Sequence, residues 1–315
     1  MIQSPVCDLL NIRYPVFQGG MACISDAVLA AAVSNAGGLG VIAAGNELPE
    51  AVRAEIRKAR TLTPGPFAVN IMLMSPYAAE IASVAAEEKV GAVITGAGNP
   101  EKYMRLWLEK GITVIPVIPS VTIARRMERL GATAVIAEGG ESGGHVGDLT
   151  TMALLPQVCD ALGIPVIAAG GIADGRGMAA AFLLGASGVQ LGTRFLVATE
   201  CCVHANYKAK VIKAKDTDTI ATGKRLGHPV RSLKTPFSRN YFAKEYDPTV
   251  SNEELEALGS GALSLAAVAG DEQNGCFMAG QIAGLVTKEQ SAKEIVEELC
   301  GQAEQLLKGA SIWVK

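Results

Sequence analysis

The chain has 315 residues, 49% of them hydrophobic and only 5% aromatic, with a net charge of −3. That size suits one large α/β domain or two ordinary ones, and an Ala/Val/Ile/Leu/Gly-rich core belongs to a parallel-sheet enzyme rather than a disordered or repetitive chain. The weak acidity gives no global reason to expect nucleic acid as a partner, and no uninterrupted apolar run reaches the 18 or more residues of a membrane span.

Eight short β-branched runs follow one another, each ending in glycine or a small polar residue: 15–20, 39–45, 67–73, 92–98, 113–119, 134–140, 165–171 and 188–195. Between them lie helical patterns, among them 25–37, 76–91, 100–111, 122–132, 152–164 and 175–186, several closing on a glycine as at a helix C-cap. The runs are continuously apolar, as in strands covered by helices on both faces. Eight such units predict a TIM (β/α)₈ barrel, over residues 1–204 plus 261–315. A doubly wound sheet would carry GxGxxG after its first strand, where this chain reads QGGMACIS. From about residue 205 to 260 the rhythm breaks, which predicts a small helical or irregular insertion capping the barrel mouth. A terminal helix is expected over 292–310.

Reactive groups of such a barrel lie at the C-terminal strand ends. Here those ends are rich in glycine and carry no lysine, which argues against Schiff-base chemistry. Glu141 and His145 are spaced i,i+4, but the intervening glycines disfavour a helix and no second histidine is near, so no metal site is expected. The glycines after the seventh and eighth strands would make either tight turns or a phosphate cradle. Above such a cradle a glycine-lined mouth suits a flat heteroaromatic ring, with Asn70 at its edge; Gln18 could do the same or be a buried turn contact. Flavin mononucleotide (FMN) fits this economy, because it brings its own redox chemistry. In EGGESGGHVG (138–147), His145 sits on what reads as a flexible turn at the rim, suited to give a proton or a hydrogen bond to a developing oxyanion. His204 and His228 fall in the irregular region and read as structural. The seven cysteines are odd in number without CxxC spacing, and the start, MIQSPVCDLL, lacks the pattern of a signal peptide. Reduced thiols and a cytoplasmic location are expected.

The ordered set QGGMA, VNIM, ESGGH, IPVIAAGGIADG, QLGTRF, GHPVR and MAGQIAGLV resembles the nitronate monooxygenase-like flavoproteins, and within them the flavin-dependent enoyl-acyl-carrier-protein reductase II (FabK) group. The resemblance spans nearly the whole chain. It implies an FMN-bound barrel that reduces trans-2-enoyl thioesters with NADH or NADPH in bacterial fatty acid synthesis. By matching position it implies FMN contacts from Gly19, Gly20, Met21, Ala22, Asn70, Glu138, Gly170, Gly171, Gly192 and Thr193, with Met278, Gly280 and Gln281 closing over the cofactor. His145 matches the catalytic histidine. A homodimer is implied, and some members respond to a monovalent cation, for which no ligand set can be assigned here. Ten basic residues between Lys208 and Lys244, among them Arg231 and Lys234, stand against two acids. They could steer an acidic acyl carrier protein or form an ordinary solvated face. Two other readings stay open: a nitronate monooxygenase, and a flavin-free barrel isomerase or lyase that binds a phosphorylated metabolite.

Overall fold

A computed structural model describes residues 2–313. The strands, in chain order, are β1 (Val16–Gln18), β2 (Gly40–Ala43), β3 (Phe67–Met72), β4 (Ala92–Gly96), β5 (Thr113–Ile118), β6 (Val135–Glu138), β7 (Gly144–His145), β8 (Val166–Ala169), β9 (Gly188–Leu191), β10 (Thr219–Thr222) and β11 (Val230–Leu233). Eight of them form one parallel sheet in the order β1-β9-β8-β6-β5-β4-β3-β2. Phe17 bridges Leu39 in parallel, so the first strand comes back beside the second and the sheet closes. The fold is a TIM barrel, as the eight apolar runs predict.

Strand alternation divides the core into two layers. Phe17, Val41, Ala68, Ile94, Ile115, Ile136 and Ile167 point into the barrel, where Val6, Leu10 and Ile12 of the N-terminal segment join them and plug its floor. Their neighbours Val16, Ile42, Val69, Val93, Val114 and Val135 point outward under the helices. Both layers are apolar, which is why the strands read as unbroken runs.

The expected helices are present, each within its sequence pattern or starting one residue before it: Ala27–Asn35, Ala78–Glu87, Glu101–Glu109, Val121–Arg129, Thr151–Ala161, Gly175–Leu183 and Ala292–Gly309. The segment 205–260 is more ordered than its composition implies. Helices Ala205–Lys213, Pro236–Glu245 and Asn252–Gly259 flank an antiparallel hairpin of β10 and β11. Tyr207 and Val211 pack into the main core, whereas Phe237, Tyr241 and Leu255 gather a small cluster with Ala262 and Cys276. The hairpin also pairs with β7, in the register Val230↔His145 and Arg231↔Gly144. The turn expected to be flexible is therefore tied into a three-stranded sheet, a pairing that no local pattern shows. Among the described residues no helix is long and apolar enough to cross a membrane.

Candidate active site

One cavity of about 480 Å³ opens at the C-terminal ends of the strands. Its lining includes Gly19, Gly20, Met21 and Ala22 after β1, Asn70 on β3, Glu138 on β6, His145 on β7, Gly170 and Gly171 after β8, and Gly192 and Thr193 after β9. Met278 and Gly280 reach it from the C-terminal segment. Gln281 does not line it: the residue is exposed, and its backbone N–H donates to the Glu141 carbonyl at 2.9 Å. Matching by position to the resembled family placed it at the site, but the short helix starting there turns its side chain away.

The strand-end glycines serve different purposes. Gly170 has φ +87°, and a Cβ there would meet the Gly139 carbonyl at 2.8 Å, so the backbone itself requires glycine. At Gly192 an added Cβ would find nothing nearer than Met21 Sδ at 3.8 Å. The room left at Gly192 belongs to the cavity.

The C-terminal segment is held in place by side chains. The Tyr207 hydroxyl donates to the Met278 carbonyl at 2.7 Å, Met278 bridges Ser232 of β11, and the Gly280 N–H donates to Thr193 Oγ1 at 2.8 Å. Gln190, a polar residue inside the apolar run of β9, was not singled out from sequence. It is buried and lines the cavity, and its Oε1 has no hydrogen-bond partner. Gln18 proves a buried contact instead: its Oε1 accepts from Val41 N at 3.0 Å and its Nε2 donates to Ser25 Oγ at 2.7 Å.

His145 is exposed where the cavity opens, with protein crowding its other sides. Burial, helped by the neighbouring His228, holds its imidazole below the usual histidine range. It is neutral near pH 7 and can donate one ring N–H. His228, two residues before the Val230 that pairs with His145, is thus brought near that imidazole, although it does not line the cavity. His204 is structural: its Nδ1 accepts from Asn206 N at 3.1 Å and caps a helix. Glu141 also has a local task, accepting from Thr151 N at 2.9 Å and Thr151 Oγ1 at 3.0 Å.

Glu138 faces the cavity and is otherwise enclosed, and burial pushes its carboxyl up to about 7 against the pull of Ser142. Folding therefore favours the protonated form, and this contribution to stability, fully present below about 4.5, is lost progressively as pH rises from there through about 7. In the ligand-free protein, Glu138→Gln is expected to raise stability at pH 8 relative to pH 5 by roughly 2 kcal/mol, after allowance for water in the cavity. Thermal melts of both proteins at the two pH values check this. A melting difference that does not grow with pH would show the carboxyl to be unstrained.

The basic segment is less of a surface patch than its sequence implies. Lys208 Nζ donates to the Ala198 carbonyl at 2.7 Å and pairs with Glu289 at 2.6 Å, and Lys210 pairs with Glu272 at 2.8 Å. Arg225 donates to the carbonyls of Asp247 and Val250, and Arg231 to that of Gly140. Lys213, Lys215, Lys224, Lys234, Arg239 and Lys244 are exposed. All seven cysteines are free.

A cavity this size, floored by glycine, with Asn70, Glu138 and an unpartnered Gln190 oxygen around it, fits a planar ring with polar edges. The turns at Gly170–Gly171 and Gly192–Thr193 leave bare backbone for an anion. The fold recurs in known proteins. FabK from Thermotoga maritima is 47% identical, with a TM-score of 0.97 and complete coverage of both chains. A curated (3aS,4S,5R,7aS)-5-hydroxy-7a-methyl-1-oxo-octahydro-1H-indene-4-carboxyl-CoA dehydrogenase of Mycobacterium tuberculosis is 32% identical, over 100% of this chain and 99% of its own. A probable nitronate monooxygenase of Staphylococcus saprophyticus is 33% identical, over 97% of this chain and 99% of its own. The sequence profile of nitronate monooxygenase matches residues 3–89 and 76–302. The chain belongs to the nitronate monooxygenase family of oxidoreductases.

Proposed function

We propose that this protein is an FMN-dependent enoyl-acyl-carrier-protein reductase that uses NADH or NADPH. The observation that carries the reading is the imidazole of His145 at the mouth of a glycine-floored cavity, in a chain that matches FabK from Thermotoga maritima from end to end. When bound, FMN supplies the hydride chemistry, accepting from the nicotinamide and giving to the β-carbon of the enoyl thioester.

The chain supplies placement. Gly170, Gly171, Gly192 and Thr193 would hold the phosphate, Gly19 to Ala22 and Asn70 the ring edge, and Glu138 and Gln190 would offer further polar contacts. Met278 and Gly280 close the site from the C-terminal side, and residues 205–260 act as the cap that keeps water out. His145 donates a hydrogen bond to the thioester carbonyl, stabilising the enolate that forms as hydride arrives at the β-carbon. A neutral donor suits this step, because the negative charge develops only during reaction. The reading includes a cytoplasmic homodimer acting in fatty acid synthesis. The exposed lysines of the cap would receive the acidic carrier protein.

A nitronate monooxygenase is the second reading, favoured by the curated relatives of that name. Purified protein loaded with FMN separates the two. The reductase is expected to oxidise NADH or NADPH anaerobically beyond one equivalent of its flavin only when crotonyl thioester is present. Oxygen uptake driven by a nitroalkane anion, with no thioester reduction, would overturn it. In the same assay Lys224→Glu with Lys234→Glu is expected to raise KM for the carrier-bound thioester and not for the coenzyme A thioester. Equal effects on both substrates would remove the carrier-docking role.

A further inference from the structure

The loop that delivers His145 is built from residues with little stiffness of their own. Five of the ten residues in 138–147 are glycine, each with wide backbone freedom. Its first half is anchored from the barrel side. The Gly139 N–H donates to the Ala169 carbonyl at 2.9 Å, and the Glu141 carboxylate accepts from Thr151 at the start of a helix. Its second half is anchored from the cap. Gly144 and His145 pair with β11, and the Val146 N–H donates to the Pro229 carbonyl at 3.0 Å.

Arg231 joins the two halves. It stands on β11 opposite Gly144, but its side chain crosses to the beginning of the loop. Nε and Nη2 both donate to the Gly140 carbonyl, at 3.1 and 3.0 Å, and Nη1 donates to Thr219 Oγ1 on β10 at 3.4 Å. Two charge-assisted bonds from a planar guanidinium onto one carbonyl fix direction as well as distance. The Gly140 N–H is held as well, donating to the Leu149 carbonyl at 2.7 Å. The side chain is half-buried and turned inward, a poor position for steering a partner from solution.

We propose that Arg231 is a positioning residue for the reaction: by gripping the Gly140 carbonyl from the cap hairpin, it fixes the loop that holds His145 over the cavity. This rests on the assignment of His145 to the substrate under "Proposed function". Arg231 does not line the cavity, and its effect passes through the imidazole.

Arg231→Met and Arg231→Lys, each alone and combined with His145→Ala, test this in the FMN-loaded protein. Arg231→Met is expected to slow thioester-dependent reoxidation of the flavin by roughly 10- to 100-fold, since a misplacement of about 1 Å can have that effect. Reduction by NADH and the Kd for FMN should change by less than about twofold, since neither passes through the imidazole. Arg231→Lys, which keeps the charge and loses the planar fork, should show a smaller loss. In the His145→Ala background both substitutions should lose their effect, because residues acting as one unit are not additive. Undiminished effects in that background, equal slowing of both half-reactions, or a weakened FMN Kd would overturn the proposal. If Arg231→Met fails to fold, Arg231→Lys read in the same four ways decides it. Amide hydrogen exchange across residues 139–147 in the ligand-free chain is the arm that does not depend on substrate. It should quicken in either variant, and unchanged exchange would overturn the clamp. A wild-type protein with no thioester activity but quickened exchange in the variants would instead overturn the reductase reading.

Discussion

Replacing His145 with alanine is expected to slow reoxidation of the reduced flavin by an enoyl thioester about 10²- to 10³-fold, the usual loss for one oxyanion donor. Its reduction by NADH should be nearly unchanged. The split follows from the position of the imidazole at the cavity mouth, on a two-residue strand whose partner is the cap hairpin. There it can meet the carbonyl of an incoming thioester, while the glycine cradle below it is built from other loops. His145→Gln retains an N–H donor and should recover part of the loss. Stopped-flow absorbance, following bleaching and recolouring separately, checks both variants. If His145→Ala slowed bleaching as much as recolouring, the histidine would serve the nicotinamide or the cofactor instead. If it slowed neither, the assignment would be wrong.

The largest expected effect on stability comes from Gly40→Ala. Gly40 opens β2, where the helix Ala27–Asn35 crosses it so closely that a Cβ would lie 1.8 Å from the Ala30 carbonyl oxygen and 2.5 Å from the carbonyl carbon. Both are backbone atoms, so no side-chain rotation relieves the clash and the helix must move. Overpacking a core in this way destabilises by about 3 kcal/mol or more. The same helix follows the Gly19–Ser25 turn, so weaker FMN binding should accompany the lower melting temperature. Gly301→Ala is the control, at an exposed position in the helix Ala292–Gly309 where an added Cβ meets nothing within 4 Å. It should stabilise by about 0.5–1 kcal/mol through helix propensity. Chemical denaturation of both variants beside the parent checks the pair. A Gly40→Ala protein as stable as Gly301→Ala would show that the strand and helix are not packed as described.

The strands were legible because a strand covered on both sides is apolar at every position, and eight such runs leave few architectures open. Most of the candidate lining was legible for a related reason: residues just after a barrel strand must face the mouth. Gln190 could have been read by the same logic, as the one polar residue in the run GVQL. Gln281 shows the limit of matching by position, since one step along a short helix rotates a side chain out of the site. Arg231 shows another limit. In a count of charges it is one cation among ten, and only the pairing of β11 with β7 turns it onto the Gly140 carbonyl.

By itself, then, the sequence determined the closed parallel barrel, its two apolar layers, the glycine floor and the presence of one imidazole at the rim. All of these follow from local periodicity and from turns whose demands are met within a few residues. The tertiary structure alone decided that the imidazole is held in a small sheet, that a second histidine lies near it, and that an arginine of the cap grips its loop. Those depend on backbone pairing and a hydrogen bond between segments far apart in the chain, where the choice of partner is set by the packing of the whole cap on the barrel rather than by the residues on either side.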